Sequence, residues 1–294
     1  MRKPNFFIIG APKSGTTSLA SWLADHPNVY IPPAKEIHYF CSDLNIPGRP
    51  KSDREYLQFF RSAPTNALAI GEASVSYLSS KHAIRNIERF CNSPRYIVMI
   101  RNPIDIAYSF HQEKLFLGEE EEPDFVKAWK LSPDRRRGIH VPKECPDGKL
   151  LDYQEIGLLG KHISRLLEAV PRDRLLILLL DDMKNNPRRE YLKVLDFLNL
   201  PDEGRTHFPV LNKSKSVRWP LLRRVVKGAG QLRARLGIPP LGKGIYYKLI
   251  TFNAKYSPRQ PLPEDFVREM KAFYKDDVEL LAQLINRDLS YWLD

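Results

Sequence analysis

The stretch Asn5-Phe-Phe-Ile-Ile-Gly-Ala-Pro-Lys-Ser-Gly-Thr-Thr17 constrains this chain more than any other. The apolar residues Phe6 to Ile9 end at Gly10, and beyond Thr17 the residues Leu19, Trp22 and Leu23 recur at helical spacing until His26-Pro27. This reads as a strand, a glycine-containing loop and a helix. Apolar runs at 68–70, 96–100 and 175–180 read as further strands, the last two without alternation and therefore buried on both faces. Helical spacing separates them over 82–90, 104–117, 154–170 and 189–198. Strands alternating with helices predict a three-layer α/β/α fold around a central parallel sheet.

Two stretches break the alternation. Residues 118–150 carry Glu119-Glu-Glu-Glu122, Arg135-Arg-Arg137 and several prolines, and read as an insertion covering a substrate, with the acidic run as a solvated loop. Residues 204–263 hold thirteen Lys or Arg and no Asp or Glu, while the rest of the chain carries 33 basic and 35 acidic residues. The excess behind the formal net charge of +11 therefore lies in one segment, suited to nucleic acid, a membrane surface or an anionic ligand. A closing amphipathic helix over 263–287, with no internal repeat or low-complexity linker, makes residues 1–294 a single expected domain. Phe6–Ile9 is too short for a signal-peptide core or a membrane span, so a soluble, cytoplasmic protein is expected. Cys41, Cys91 and Cys145 are odd in number and in no C-x-x-C arrangement, and the seven histidines show no metal-ligand spacing. Plain thiols and no metal are the expectation.

The loop comes close to the nucleotide-binding pattern G-x-x-x-x-G-K-[ST], and the departure is informative. Gly10 and Gly15 have the right separation, but Thr16 stands where the lysine belongs and Lys13 lies inside the loop. Backbone N–H groups and the helix dipole favour an anion there, Gly15 permits close approach, and Ser14, Thr16, Thr17 and Ser18 offer hydroxyl donors. Without the Gly-Lys-[ST] ending the triphosphate–magnesium arrangement is lost, and a single phosphate fits better. A second anion site is predicted where Arg101-Asn-Pro103 ends the 96–100 strand, with Ser109 on the following helix. A third cluster, Lys35-Glu-Ile-His-Tyr-Phe40, sets Glu36 beside cations, suited to accepting a proton.

Together these motifs resemble the sulfotransferases that use 3′-phosphoadenylyl sulfate (PAPS). Pro12–Thr17 resembles their 5′-phosphosulfate loop, and Arg-Asn-Pro with a serine eight residues after the arginine is similar to their 3′-phosphate motif. Lys35–Phe40 resembles the Lys-Glu-x-His-Phe-Phe stretch of the heparan-sulfate-type members and their bacterial relatives. The resemblance implies a P-loop NTPase-like fold and an enzyme that moves the sulfuryl group of PAPS to a hydroxyl or amine of a carbohydrate or other small metabolite. The product would be adenosine 3′,5′-bisphosphate. Lys13 would stabilise the leaving phosphate, with Ser14, Gly15, Thr16, Thr17 and Ser18 holding the 5′-phosphate and Arg101 and Ser109 the 3′-phosphate. Glu36 would be the base with His38 beside it, although either of the two fits that role. Gly71–Tyr77 resembles the family's Glu-Lys-[ST]-Pro-x-Tyr segment, with Ala73 in place of lysine and Val75 in place of proline. Cys41 replaces an acidic residue.

Asn212–Ser216 is similar to a late basic loop closing over the nucleotide, which adds Lys213, Ser214 and Lys215 to the expected site. Residues 221–236 fit a helix packed on the domain with its lysines outward, and the alternative is a basic amphipathic helix making peripheral membrane contact through 218–248. The competing class is a P-loop nucleotide kinase or NTPase, for which Asp181 after Leu180 is a partial Walker-B candidate. A nucleic-acid-binding module is not expected, because the basic block carries few aromatics and no recognition motif.

Overall fold

The computed structural model describes residues 2–211 and 260–294, together with the backbone of 216–217 and 254–255. Five parallel strands form the main sheet: β1 (Phe6–Gly10), β2 (Val29–Tyr30), β3 (Ala69–Ala73), β4 (Arg95–Ile100) and β5 (Leu175–Leu179), in the order β2-β3-β1-β4-β5. Side chains alternate between its faces as strand geometry requires. Phe7, Ile9, Tyr96, Val98 and Ile100 enter one core, and Phe6, Ile8, Ile97 and Met99 enter the other. Burial on both sides is why these strands read as unbroken apolar runs.

One face is covered by α1 (Thr16–Ala24), through Leu19, Trp22 and Leu23, and by α9 (Pro187–Phe197), through Tyr191, Val194 and Leu195. The other is covered by α3 (Ala83–Phe90), α4 (Pro103–Leu117), α7 (Leu159–Ala169) and the closing helix α10 (Glu264–Ile285). Short helices α2 (Asp53–Leu57), α5 (Phe125–Lys130), α6 (Ser132–Arg136) and α8 (Leu180–Asn185) lie between them. The expected three layers are present. From β1 the chain proceeds to β2 and β3 on one side and then crosses to β4 and β5 on the other. That reversal opens a crevice at the carboxyl ends of β1, β3 and β4, where ligands bind in such sheets.

Two sequence expectations are corrected. The helix expected from Gln154 starts only at Leu159, after a single 3₁₀ turn at Glu155–Gly157. Gly157 lies under Tyr274, and a Cβ there would stand 2.3 Å from its hydroxyl oxygen. The N–H groups of Gly160 and Lys161 donate to the two carboxylate oxygens of Asp277 on α10, each at 2.8 Å, so the start of α7 is capped by a distant helix.

The acidic run is a loop, but it is solvated only in part: Glu121 is exposed, Glu119 and Glu122 are half-buried, and Glu120 is buried. Glu120 is 1% exposed and receives both terminal nitrogens of Arg135 and, at 2.7 Å, the Tyr153 hydroxyl. Burial pushes its carboxyl up, but the Glu122 N–H, Arg135 and Tyr153 outweigh that and hold it below the usual range. Phe125 and Trp129 of the same segment pack edge-on against Phe266 of α10, so this part of 118–150 belongs to the core. The three cysteines are buried free thiols.

Candidate active site

The loop between β1 and α1 is held at its base by the Ala11 N–H, which donates to the Met99 carbonyl at 2.6 Å. Gly15 precedes the helix at φ 89°, a left-handed conformation that a residue with a Cβ adopts only with strain. Ser18 and Leu19 close the first turn onto the Gly15 carbonyl at 3.0 and 3.2 Å. Among the described residues, no hydrogen bond uses the N–H groups of Lys13, Ser14, Gly15, Thr16 or Thr17. Unused donors at the start of a nine-residue helix fit a phosphate. Two of the four expected hydroxyls have structural tasks: Ser14 Oγ donates to the Pro12 carbonyl at 3.3 Å, and Ser18 Oγ accepts from the Leu211 N–H at 3.0 Å. Thr16 is buried and Thr17 half-buried in the first turn.

Arg101 leaves the end of β4 toward the same loop. Its Nη1 donates to the Lys13 carbonyl at 3.2 Å, while Nε and Nη2 donate to Asp105 Oδ2 at 3.0 and 2.6 Å. Ser109 is buried two turns into α4, a helix capped at its start by Asn102, whose side-chain oxygen accepts from the Ile104 N–H. The first and second motifs therefore meet at one sheet edge.

The Lys35–Phe40 loop is fastened to the end of β3. Glu36 N–H donates to the Ala73 carbonyl, His38 N–H to Ser74 Oγ, and Val75 N–H to Glu36 Oε2, each at 3.0 Å. Glu36 and His38 have φ of 63° and 55°, a region that non-glycine residues occupy only where the surroundings enforce it. The enforcement comes from Glu72, 1% exposed, which accepts from Ser74 Oγ at 2.6 Å, Tyr77 Oη at 2.7 Å and the Tyr56 hydroxyl. Burial pushes the Glu72 carboxyl up against the pull of those donors. One departure from the family segment acquires a local meaning here: Val75 supplies an N–H to Glu36 that proline lacks, whereas the carbonyl of Ala73 would be present with lysine too.

Charges converge on this spot. Lys35 Nζ contacts Glu36 Oε1, His38 Nε2 lies 3.4 Å from Glu36 Oε2, and Lys13 Nζ lies 3.3 Å from Glu113 Oε1. Burial pushes Lys35 down to about 8; Glu113 opposes this and Lys13 adds to it. Burial, with the cations Lys35, Lys114 and Arg49, pushes His38 down to about 4, so its ring is neutral at neutral pH. The two side chains lie side by side, so either can face an acceptor placed beside this loop. Sequence reading missed Glu113. The available signal was its position one turn beyond Ser109, at the i,i+4 spacing that shares a helix face.

The sulfotransferase domain family matches residues 3–215 of this chain. The chain belongs to that family. It is 26% identical over 230 residues to the bifunctional heparan sulfate N-deacetylase/N-sulfotransferase 2 of Homo sapiens, covering 74% of this chain and 24% of that protein. It is 27% identical over 198 residues to the heparan sulfate glucosamine 3-O-sulfotransferase 5 of Mus musculus, covering 67% of this chain and 54% of the relative. The chain thus spans about a quarter and about half of the length of these two relatives. A sulfotransferase structure from Alicyclobacillus acidocaldarius superposes with a TM-score of 0.72 over 100% of both chains at 24% identity, a likeness of fold.

In this sulfotransferase chain the Walker-B candidate fails. Asp181 lies past the end of β5 on α8, where it pairs with Lys184 at 3.1 Å. Among the described residues, no group of three or more His, Cys, Asp or Glu could hold a metal ion, and no helix is long and apolar enough to cross a membrane. Lys213, Ser214, Lys215 and the 218–248 segment lie outside the described residues.

Proposed function

We propose that this sulfotransferase domain transfers the sulfuryl group of PAPS to a hydroxyl or amine of a carbohydrate acceptor, with Glu36 as the base. The observation that carries the reading is the meeting of three motifs at one crevice: Arg101 bonds the Lys13 carbonyl, and Lys35, in contact with Glu36, lies within electrostatic reach of Lys13. PAPS, when bound, supplies a sulfuryl group on a phosphate leaving group. The loop N–H groups with Thr16 and Thr17 would hold the 5′-phosphate, Lys13 would neutralise charge growing on the leaving oxygen, and Arg101 and Ser109 would hold the 3′-phosphate. Glu36 would take the acceptor's proton while Lys35, His38 and the Val75 N–H orient its carboxylate.

Positioning and charge stabilisation then carry the reaction. The late loop with Lys213, Ser214 and Lys215 would close over the donor, and the exposed parts of 118–150 would border the acceptor. Both named relatives are heparan sulfate enzymes, which supports a glycan acceptor here. We also propose that residues 1–294 act as one cytoplasmic domain. Incubation with sulfur-labelled PAPS and a panel of glycans, lipids and phenols tests the function. Label is expected on a glycan. Label confined to phenols or lipids contradicts the acceptor, and magnesium-dependent ATP turnover without sulfate transfer would favour the kinase reading.

A further inference from the structure

Lys13 and Lys35 enter the crevice from different elements, one on the β1–α1 loop and the other on the loop after β2. Each repels the other, and both are largely withdrawn from solvent. Two ammonium groups in such a place need counter-charge. Glu36 contacts Lys35 directly. The second carboxylate is Glu113 on α4, whose Oε1 stands 3.3 Å from Lys13 Nζ across 100 residues of sequence. Lys13 is 22% and Glu113 39% exposed, so water reaches the pair from the Glu113 side.

We propose that Glu113 is a positioning residue for sulfuryl transfer, its carboxylate holding Lys13 in the donor cradle and adding negative charge to the side of the site that Lys35 enters. The proposal rests on the sulfotransferase reading of the site. The charged and titratable groups around Lys35 are Glu36 and His38 on its own loop, Lys13 on the phosphate loop, and Glu113 on α4; Lys114 of α4 and Arg49 act on the neighbouring His38. Of these, Glu113 opposes the loss of the Lys35 proton from across the crevice, and Lys13 promotes it. Glu113, paired with Lys13, and Glu36, paired with Lys35, together supply the counter-charge that lets the two cations share one site.

The test is a carbon-13 NMR titration of the full-length protein labelled at lysine, with the Lys35 signal identified as the one missing from Lys35→Arg. In the native protein burial is expected to bring this midpoint down from the ordinary lysine value to about 8. Glu113→Gln is expected to move the midpoint down by about one pH unit, Glu113→Asp to leave it nearly in place, and Lys13→Met to move it up. A general loosening of the fold would not produce shifts of opposite sign. A midpoint unmoved by Glu113→Gln, or moved upward, overturns the proposal, as does a downward shift in Lys13→Met. Midpoints that move as stated without sulfate transfer to any acceptor overturn the sulfotransferase reading alone. An active enzyme with unmoved midpoints overturns the role of Glu113 alone.

Discussion

Lys13 stands on a loop joining the central strand of the sheet to a nine-residue helix, whereas Glu36 stands on a loop after a two-residue edge strand. The Lys13 loop offers largely backbone: among the described residues nothing uses its N–H groups at the start of α1, and Gly15 is in a left-handed conformation. The Glu36 loop offers side chains, with Glu36 in contact with Lys35, His38 and the Val75 N–H and the loop pinned to Ser74. Backbone donors suit the part of a ligand that is always a phosphate. A loop held by side chains suits the part that must match a particular acceptor, because those contacts change with single substitutions.

If the two sides are separate in this way, substitutions should separate them. Lys13→Ala and Glu36→Gln are each expected to reduce turnover by about a hundredfold or more. Only Lys13→Ala should also weaken binding of adenosine 3′,5′-bisphosphate, measured by calorimetry on folded protein. Near-normal turnover in either variant would remove that residue from the mechanism, and equal loss of donor affinity in both would erase the distinction between the sides.

A smaller effect is expected from Val75→Pro. Val75 opens a 3₁₀ turn, a place that tolerates proline, and the substitution restores the family's residue while deleting the N–H that Glu36 accepts. Turnover should fall about tenfold with donor affinity unchanged. Unchanged turnover would show that this N–H does not orient the carboxylate.

The smallest effect concerns acid. His38 binds its proton at about 4 in the folded chain and near 6.5 when unfolded. The unfolded state therefore binds more protons between those values, and stability is lost as pH falls through that window. Thermal melts from pH 7 to pH 5 should show this loss, with His38→Asn less affected by a few degrees. Some slope should persist, since burial lowers His111 and His162 in the same direction. An identical pH dependence in the variant would contradict the burial of a neutral His38.

The Lys13 side was the more legible in sequence because its features are local. A buried parallel strand, a glycine at a turn and a helix start are local features, and Phe6–Ile9, Gly15 and the helix from Thr16 follow from neighbours in the chain. Arg101 and Ser109 were legible because a strand end and the helix after it are also adjacent. Features made by distant contacts were not. Glu113 acquires its meaning from Lys13, Glu120 becomes a buried anion through Arg135 and Tyr153, and α7 starts late because Tyr274 and Asp277 lie over its first turn. Likewise Val75 reads as a departure from a family pattern until the fold brings its N–H to Glu36.

The central claim is that this crevice holds a nucleotide by two separate phosphates, one at the Lys13 loop and one at Arg101 and Ser109. Calorimetric titration with adenosine 3′,5′-bisphosphate, adenosine 5′-phosphate and ATP with magnesium, on native protein and on Arg101→Ala, tests it most directly. The bisphosphate should bind native protein about ten- to a hundredfold more tightly than the monophosphate, with most of that advantage gone in Arg101→Ala. Equal affinity for the two adenosine phosphates, or tighter binding of ATP with magnesium, would contradict the account.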